Sequence, residues 1–306
     1  MQYVVTKTHS PKDRVQPYDI FGPRKLYRRL MPQMGREYIS RIVRSADRAA
    51  FSLTGTPPRD LRSHISPAWF DFKATGRDQI EFLIQVAGLQ PEDHVLDVAC
   101  GVGRLAIPLS QFLSCNGRYS GFDVFVEGIA WCRDRIAAKD PRFDFLAANV
   151  RTDFRSEGTD AREYRFEYED GAFSFCYAGS IFTHLSRAES ENYLRQIHRV
   201  LKHRGRFVST WLTYSDEAIA RIPGTAARLD ELWPNRREGW RFRNEQSPGE
   251  SVAYEQGKIR ELFCDAGLTI IEPIRPDASY NLARIPKIRQ MGTHLHHCVS
   301  IVAVAE

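Results

Sequence analysis

The chain has 306 residues, 42% hydrophobic and 26% charged, with a net charge of +5. This excludes wholesale disorder, and the length allows one large α/β domain with additions or two small domains. The charge permits an anionic partner but is too mild to point to nucleic acid. Residues 1 to about 75 come first and are Arg-rich, with aromatics and prolines interleaved. No stretch approaches the ~20 apolar residues of a membrane span. The opening Met1-Gln2-Tyr3-Val4-Val5 has no basic-then-apolar leader layout, so the expected location is the cytoplasm. The six cysteines (Cys100, Cys115, Cys132, Cys176, Cys264 and Cys298) form no C-x-x-C pair. Scattered singles suit a reducing compartment and argue against a zinc site or a disulfide framework.

From residue 76 the pattern alternates. Ile80, Leu83 and Ala87 fall at helical spacing over 78–87, closed by Gly88 and Pro91. Val95 to Ala99 is a short apolar run that reads as a buried strand, although it contains Asp97. Leu105, Leu109, Phe112 and Leu113 form a helical face. Tyr119 to Val124 reads as a strand carrying Asp123. Val126, Ile129, Ala130, Ile136 and Ala137 mark a second helix after it. Phe143 to Ala147 and Phe173 to Tyr177 are further strands. Ser186-x-x-Glu189 is a capping box that opens a helix with Leu194, Ile197 and Leu201 inward. Gly205 ends the connection to a strand over Arg206 to Leu212. An irregular stretch follows, then a helix with Ile259, Leu262, Phe263 and Ala266 on one face, capped by Gly267. Leu268 to Ile274 and Val299 to Ala305 complete the set. The expected fold is therefore α/β, a Rossmann-like, mostly parallel sheet of seven strands with helices on both faces. An N-terminal helical segment (1–75) and an insertion after strand five (213–253) would flank the 76–306 domain.

One constellation carries chemistry: Val95-Leu96-Asp97-Val98-Ala99-Cys100-Gly101-Val102-Gly103-Arg104-Leu105, between a strand and a helix. Small residues at 99, 101 and 103 let a ligand approach the backbone. Asp123, twenty residues after Gly103 at the end of the next strand, could accept from both hydroxyls of a ribose. Gly101-x-Gly103-x-x-Ala106 also fits a loose dinucleotide fingerprint, so a nicotinamide or flavin nucleotide competes. Asp97 tips the balance. A carboxylate two positions before the small-residue loop suits a cationic ligand, such as the amino group and sulfonium of S-adenosylmethionine (SAM).

The stretch Asp97-Val98-Ala99-Cys100-Gly101-Val102-Gly103 resembles motif I of class I SAM-dependent methyltransferases. Phe166-x-x-Glu169-Asp170-Gly171-Ala172-Phe173-Ser174-Phe175 followed by Ser180-Ile181-Phe182-Thr183-His184-Leu185 resembles the fourth-strand region of a bacterial subgroup of that family. Glu191-Asn192-Tyr193-Leu194-Arg195-x-Ile197-x-Arg199-Val200-Leu201-Lys202 resembles its helix before strand five. The resemblance covers about 76–212 well and 254–306 loosely. It implies that Asp97 contacts the methionine amino group, that Ala99, Cys100, Gly101 and Gly103 line the methionine and ribose path, and that Asp123 binds the ribose. It further implies that Asn149 and the Val150 backbone meet the adenine edge, and that Ser180 and Ile181 flank the methionine side. Three departures stand out: Ala99 for a commoner Gly, Asn149 for a commoner Asp, and Lys202-His203-Arg204-Gly205 for a usual Lys-Pro-Gly-Gly turn.

Methyl transfer asks the protein mainly to align the acceptor, and an oxygen acceptor of high pKa also needs a base. His184 is the candidate base, with a structural hydrogen bond as its alternative role. Asp153, Asp216 and Glu217 are runners-up. His294, His296 and His297 cluster before the last strand, without the carboxylate partners that would single out a metal site, so none is expected. The Arg-rich stretches Arg24 to Arg48 and Arg236 to Arg243 could grip an anionic acceptor. Trp233, Trp240 and Phe242 beside the second could stack on it. The alternative is a solvated helix face and a lid packed by its own aromatics. The expected activity is O-methylation of a small-molecule or saccharide-type acceptor, the saccharide resting on the subgroup resemblance. A nucleotide-dependent oxidoreductase and a non-catalytic SAM-binding protein are the competing classes. No nucleic-acid partner is expected.

Overall fold

The computed structural model describes residues 55–65, 71–152, 155–215, 225–276 and 297–306. Asp153, Asp216, Glu217, His294, His296 and the stretch Arg24 to Arg48 lie outside the described residues, as does the His297 side chain. Met1–Phe70 and Asp71–Glu306 are separate compact units. The first contributes helix α1 (Arg59–Ile65). The rest of the description concerns the second.

Helix α2 (Phe72–Gln85) starts six residues earlier than its apolar spacing predicts, because Asp71 caps it by accepting from Ala74 N–H at 2.9 Å. Then come β1 (His94–Val98), α3 (Ala106–Phe112), β2 (Arg118–Asp123), α4 (Val126–Cys132) and β3 (Phe143–Ala147). A short parallel pair, β4 (Val150–Arg151) and β5 (Thr159–Asp160), stands apart from the main sheet. The main sheet resumes with β6 (Phe173–Ala178), α5 (Arg187–Val200) and β7 (Leu201–Tyr214). Strands β3, β2, β1, β6 and β7 lie side by side and parallel.

The sheet is buried on both faces, as its near-continuous apolar strands require. Leu96 and Val98 of β1, with Cys176 and Ala178 of β6, face a core that takes in Leu194 and Ile197 of α5. Val95, Phe175 and Tyr177 face a second core with Leu83 of α2, Leu109 of α3 and Ile129 of α4. Each of the Val, Leu, Ile and Phe side chains among them contributes about 1.5–3 kcal/mol when withdrawn from water. The capping box of α5 forms as its sequence predicts, with Glu189 Oε2 accepting from Ser186 N–H at 2.7 Å.

Seven strands are too few. After β7 the chain forms α6 (Thr225–Leu232), β8 (Asn235–Arg237), β9 (Trp240–Phe242), β10 (Val252–Glu255), α7 (Gln256–Asp265), β11 (Leu268–Pro276) and β12 (His297–Ala305). Among the described residues the main sheet holds ten strands. β12 lies antiparallel to β7 along one edge, with β11 beyond it. On the other edge, past the end of β6, Thr213 and Tyr214 of β7 pair with Tyr254 and Glu255 of β10, and β9 and β8 follow. The extra strands come from the expected insertion. At three or four residues each, they are too short to show a period of two.

The Lys202-His203-Arg204-Gly205 turn is also not a strand boundary. Leu201 pairs with Phe173 and Arg206 with Phe175, so these four residues bulge within β7, with Arg204 at φ +60°. His203 keeps the N–H that proline would lack, which leaves the strand free to run through.

At the far end of the sheet, before β1, the Arg206 guanidinium forks onto both Asp93 carboxylate oxygens at 2.8 Å. Ser174 Oγ donates to the same carboxylate at 2.7 Å and Gln90 N–H at 2.7 Å. This partly buried clamp ties the loop between α2 and β1 to β6 and β7 on the side away from the strand ends that carry the candidate site.

Candidate active site

β1 ends at Val98, and the chain then takes left-handed steps at Ala99 (φ 62°), Gly101 (58°) and Gly103 (73°). Glycine adopts this geometry freely, whereas at Ala99 it costs about 1–2 kcal/mol. A Cβ on Gly103 would sit 2.8 Å from Ile136 Cδ1 and 3.1 Å from Cys132 Sγ. The turn is therefore pressed against α4 and the π-helical turn (Arg133–Ala137) that continues it. Cys100 turns its side chain into the core, beside Gly121, and donates its N–H to the Phe122 carbonyl at 3.0 Å. Its carbonyl accepts from Gly103 N–H at 3.0 Å.

Asp123, at the end of β2, faces that turn. Its Oδ2 accepts from Gly101 N–H and its Oδ1 from Phe125 N–H, both at 2.8 Å. Each oxygen has a second lone pair. Burial raises this carboxyl's pKa, and the backbone donors at Phe125 and Gly101 oppose the rise. Asp97 is more deeply placed, 3% exposed, with Oδ2 accepting from the Tyr119 hydroxyl at 2.7 Å. Burial pushes its pKa up to about 7, against the Tyr119 hydrogen bond and the nearby Arg104 charge.

Ala148 N–H donates to the Asp123 carbonyl at 2.9 Å, which sets Asn149 and Val150 beside the end of β2. Asn149 Oδ1 accepts from Arg155 Nη2 at 3.2 Å, and its carbonyl accepts from Thr159 N–H at 2.9 Å. Val150 is fully buried and pairs with Thr159 of β5. The structure thus brings Asp97, the 99–103 turn, Asp123 and Asn149 to the carboxyl ends of three adjacent parallel strands, where ligands of such sheets bind.

Beyond β6, Ser180 (φ 64°) donates its N–H to Thr210 Oγ1 at 2.7 Å, and Ile181 is half-buried against the core. His184 N–H returns to the Ile181 carbonyl at 2.9 Å. Its ring Nδ1 lies 2.9 Å from the Gly249 carbonyl, an obligate acceptor. In the neutral ring Nδ1 therefore carries the proton and Nε2 the lone pair. Val252 N–H donates to the Thr183 carbonyl at 2.8 Å, so the insertion holds this loop at two points.

Several site neighbours carry no motif signal. Gln79 of α2 donates to the Tyr177 hydroxyl at 2.9 Å and accepts from Arg104 Nε at 3.2 Å. A Cβ on Gly76 would meet the Arg104 carbonyl at 2.8 Å, so α2 lies hard against the start of α3. A polar residue one turn from an apolar helical face is the only trace Gln79 leaves in the sequence.

The second arginine stretch is internally engaged. Arg241 and Arg236 both meet Asp230, the former at 2.7 Å; Arg237 reaches Glu245 at 3.2 Å, and Arg243 Nε the Leu232 carbonyl at 3.4 Å. Trp233, Trp240 and Phe242 are buried, and Arg237 lies over the latter two rings. Among the described residues no three His, Cys, Asp or Glu side chains gather as a metal site would, and no helix is long and apolar enough to cross a membrane.

Residues 95–205, which span the turn, both site carboxylates and the capped helix, match the methyltransferase domain family. The chain carries a methyltransferase domain over that stretch. Its fold is shared with solved structures of low identity. Geranyl diphosphate methyltransferase in complex with GPP and sinefungin is 13% identical, with a TM-score of 0.52 over 75% of this chain and 78% of that one. Geranyl diphosphate C-methyltransferase from Streptomyces coelicolor A3(2), in complex with Mg2+, geranyl diphosphate and S-adenosyl-L-homocysteine, is 14% identical. Its TM-score is 0.51 over 75% of this chain and 80% of that one. The residues of this methyltransferase fit its cofactor, S-adenosylmethionine. They offer a carboxylate at each of two strand ends and a turn whose backbone is bare at Gly101 and Gly103.

Proposed function

We propose that this cytoplasmic methyltransferase acts on oxygen in a small-molecule or saccharide-type acceptor, with the cofactor over the ends of β1, β2 and β3. The observation that carries the cofactor placement is the Asp123 carboxylate held against Gly101 N–H, with lone pairs left for two ribose hydroxyls. Asp97 meets the cofactor's ammonium group. The backbone at Ala99, Cys100, Gly101 and Gly103 lines its path, Asn149 and the Val150 backbone meet the adenine edge, and Ser180 and Ile181 flank the methionine end. S-adenosylmethionine supplies an already activated methyl group when bound. The protein's task is then alignment of the acceptor and removal of one proton.

His184 is the group we assign to that proton, because the Gly249 carbonyl orients its ring so that Nε2 is the accepting nitrogen. Oxygen rather than carbon as the attacking atom rests on this base, and the saccharide on the subgroup resemblance alone. The insertion (213–253) borders the acceptor in this reading. The insertion's hydrogen bonds to Thr183 and His184 support its part.

Calorimetric titration with S-adenosylhomocysteine tests the cofactor site. Micromolar binding, weakened at least tenfold by Asp123→Ala, is expected, since hydrogen bonds to a charged group contribute about 1.5–3 kcal/mol. Binding of NADH instead, with no response to the homocysteine compound, would return the chain to the oxidoreductase reading.

A further inference from the structure

We infer that Tyr119 is a positioning residue for the cofactor. Its buried hydroxyl holds the Asp97 carboxylate in place and favours its charged form, and so sets the pH range over which the enzyme binds the cofactor's ammonium end. The inference rests on the cofactor placement proposed above.

Tyr119 is 1% exposed and its hydroxyl lies 2.7 Å from Asp97 Oδ2. The ring is fixed by stacking on Phe143 at 5.0 Å and by a tilted contact with Phe145 at 5.4 Å, both on β3. The hydroxyl passes over Gly121 of its own strand to reach Asp97 on β1: a Cβ at 121 would stand 2.8 Å from it. The sequence thus spends an aromatic, a glycine and two further aromatics on delivering one hydroxyl to one buried carboxylate. An apolar side chain at 119 would fill the same core without a polar group to satisfy.

A donor to the charged form of an acid favours that form. The groups around Asp97 work in both directions. Tyr119 on β2 and Arg104 before α3 favour its charge. Burial disfavours it, with Asp123 at the end of β2 adding to the effect. The buried thiols Cys100, Cys132 and Cys176 also interact with Asp97, and their own ionisation is disfavoured by it. Of the two groups that favour the charge, only Tyr119 donates directly to the carboxylate.

The test is the dissociation constant of S-adenosylhomocysteine against pH for the full-length wild type, Tyr119→Phe and Asp97→Asn. It runs beside carbon-13 titration of the Asp97 carboxyl in the ligand-free wild type and Tyr119→Phe. Wild-type affinity is expected to fall as pH drops through the Asp97 midpoint. Tyr119→Phe should move that midpoint upward by about one unit, which costs roughly tenfold in affinity on the acid side and little at pH 9. Gly121→Ala, which crowds the hydroxyl off its partner, should shift it the same way. Identical midpoints in wild type and Tyr119→Phe, with both folded, would overturn the inference while leaving the cofactor site intact. Unchanged affinity and pH profile in Asp97→Asn would instead overturn the cofactor placement, and the inference with it, whatever the carboxyl titration shows.

Discussion

Ala99 occupies a left-handed conformation where the family usually has glycine. Ala99→Gly should therefore remove strain of about 1–2 kcal/mol, less about 0.4–1 kcal/mol for glycine's greater freedom in the unfolded chain. A rise in the thermal midpoint with unchanged S-adenosylhomocysteine affinity is the expected result, and an unchanged or lower midpoint would contradict it. At His184 the informative change is to asparagine, whose side-chain N–H can still donate to the Gly249 carbonyl but which has no imidazole. His184→Asn should lower kcat by about 10²–10⁴-fold for a base, with cofactor affinity preserved; a loss of less than threefold would assign the ring a structural role. That Asp97, Ala99 and Asp123 stand together at adjacent strand ends was legible because they lie within a short stretch of sequence. Tyr119, Gln79 and Tyr177 were not, because each reaches the site from a position that looks like ordinary core. Gln79 and Tyr177 meet across 98 residues of chain.

The elements with a strong period were legible: the strands of the parallel core, the capped helix α5 and helix α7 all stand where their apolar spacing puts them. Elements set by tertiary pairing were not. The bulge in β7 depends on what β6 offers opposite it, and β8, β9 and β10 are strands only because β7 overshoots β6 and leaves them an edge. The Asp93–Arg206 clamp makes a prediction at this scale. Asp93→Ala leaves the guanidinium, 25% exposed, without its carboxylate, and removal of one member of a buried pair costs about 3–5 kcal/mol. Chemical denaturation should show a loss of that order with little change in cofactor affinity at a temperature where the variant stays folded. A weakened affinity there would mean the two ends of the sheet are coupled.

Across the whole molecule, a buried Asp97 trades stability for cofactor binding. Its pKa is about 7 in the folded state and about 3.9 in an unfolded chain. Between those values the folded state binds more protons, so stability falls as pH rises from 4 to 7. Asp97→Asn should abolish that contribution. The variant's stability relative to wild type should grow by a few kcal/mol over the same interval, while its affinity for S-adenosylhomocysteine collapses. A constant difference across pH would show that Asp97 titrates alike in both states. The β7 strand has a consequence of another kind. Fourteen residues long, it is bonded along one edge to β12 and along the other to β6 and then β10. Its amides point alternately to the two flanks, and both flanks are paired. The central β7 amides, Phe207 to Trp211, should be the last to exchange, at the rate of global unfolding. The insertion, anchored to the same strand, should exchange as part of that slow unit where it is paired, at β10.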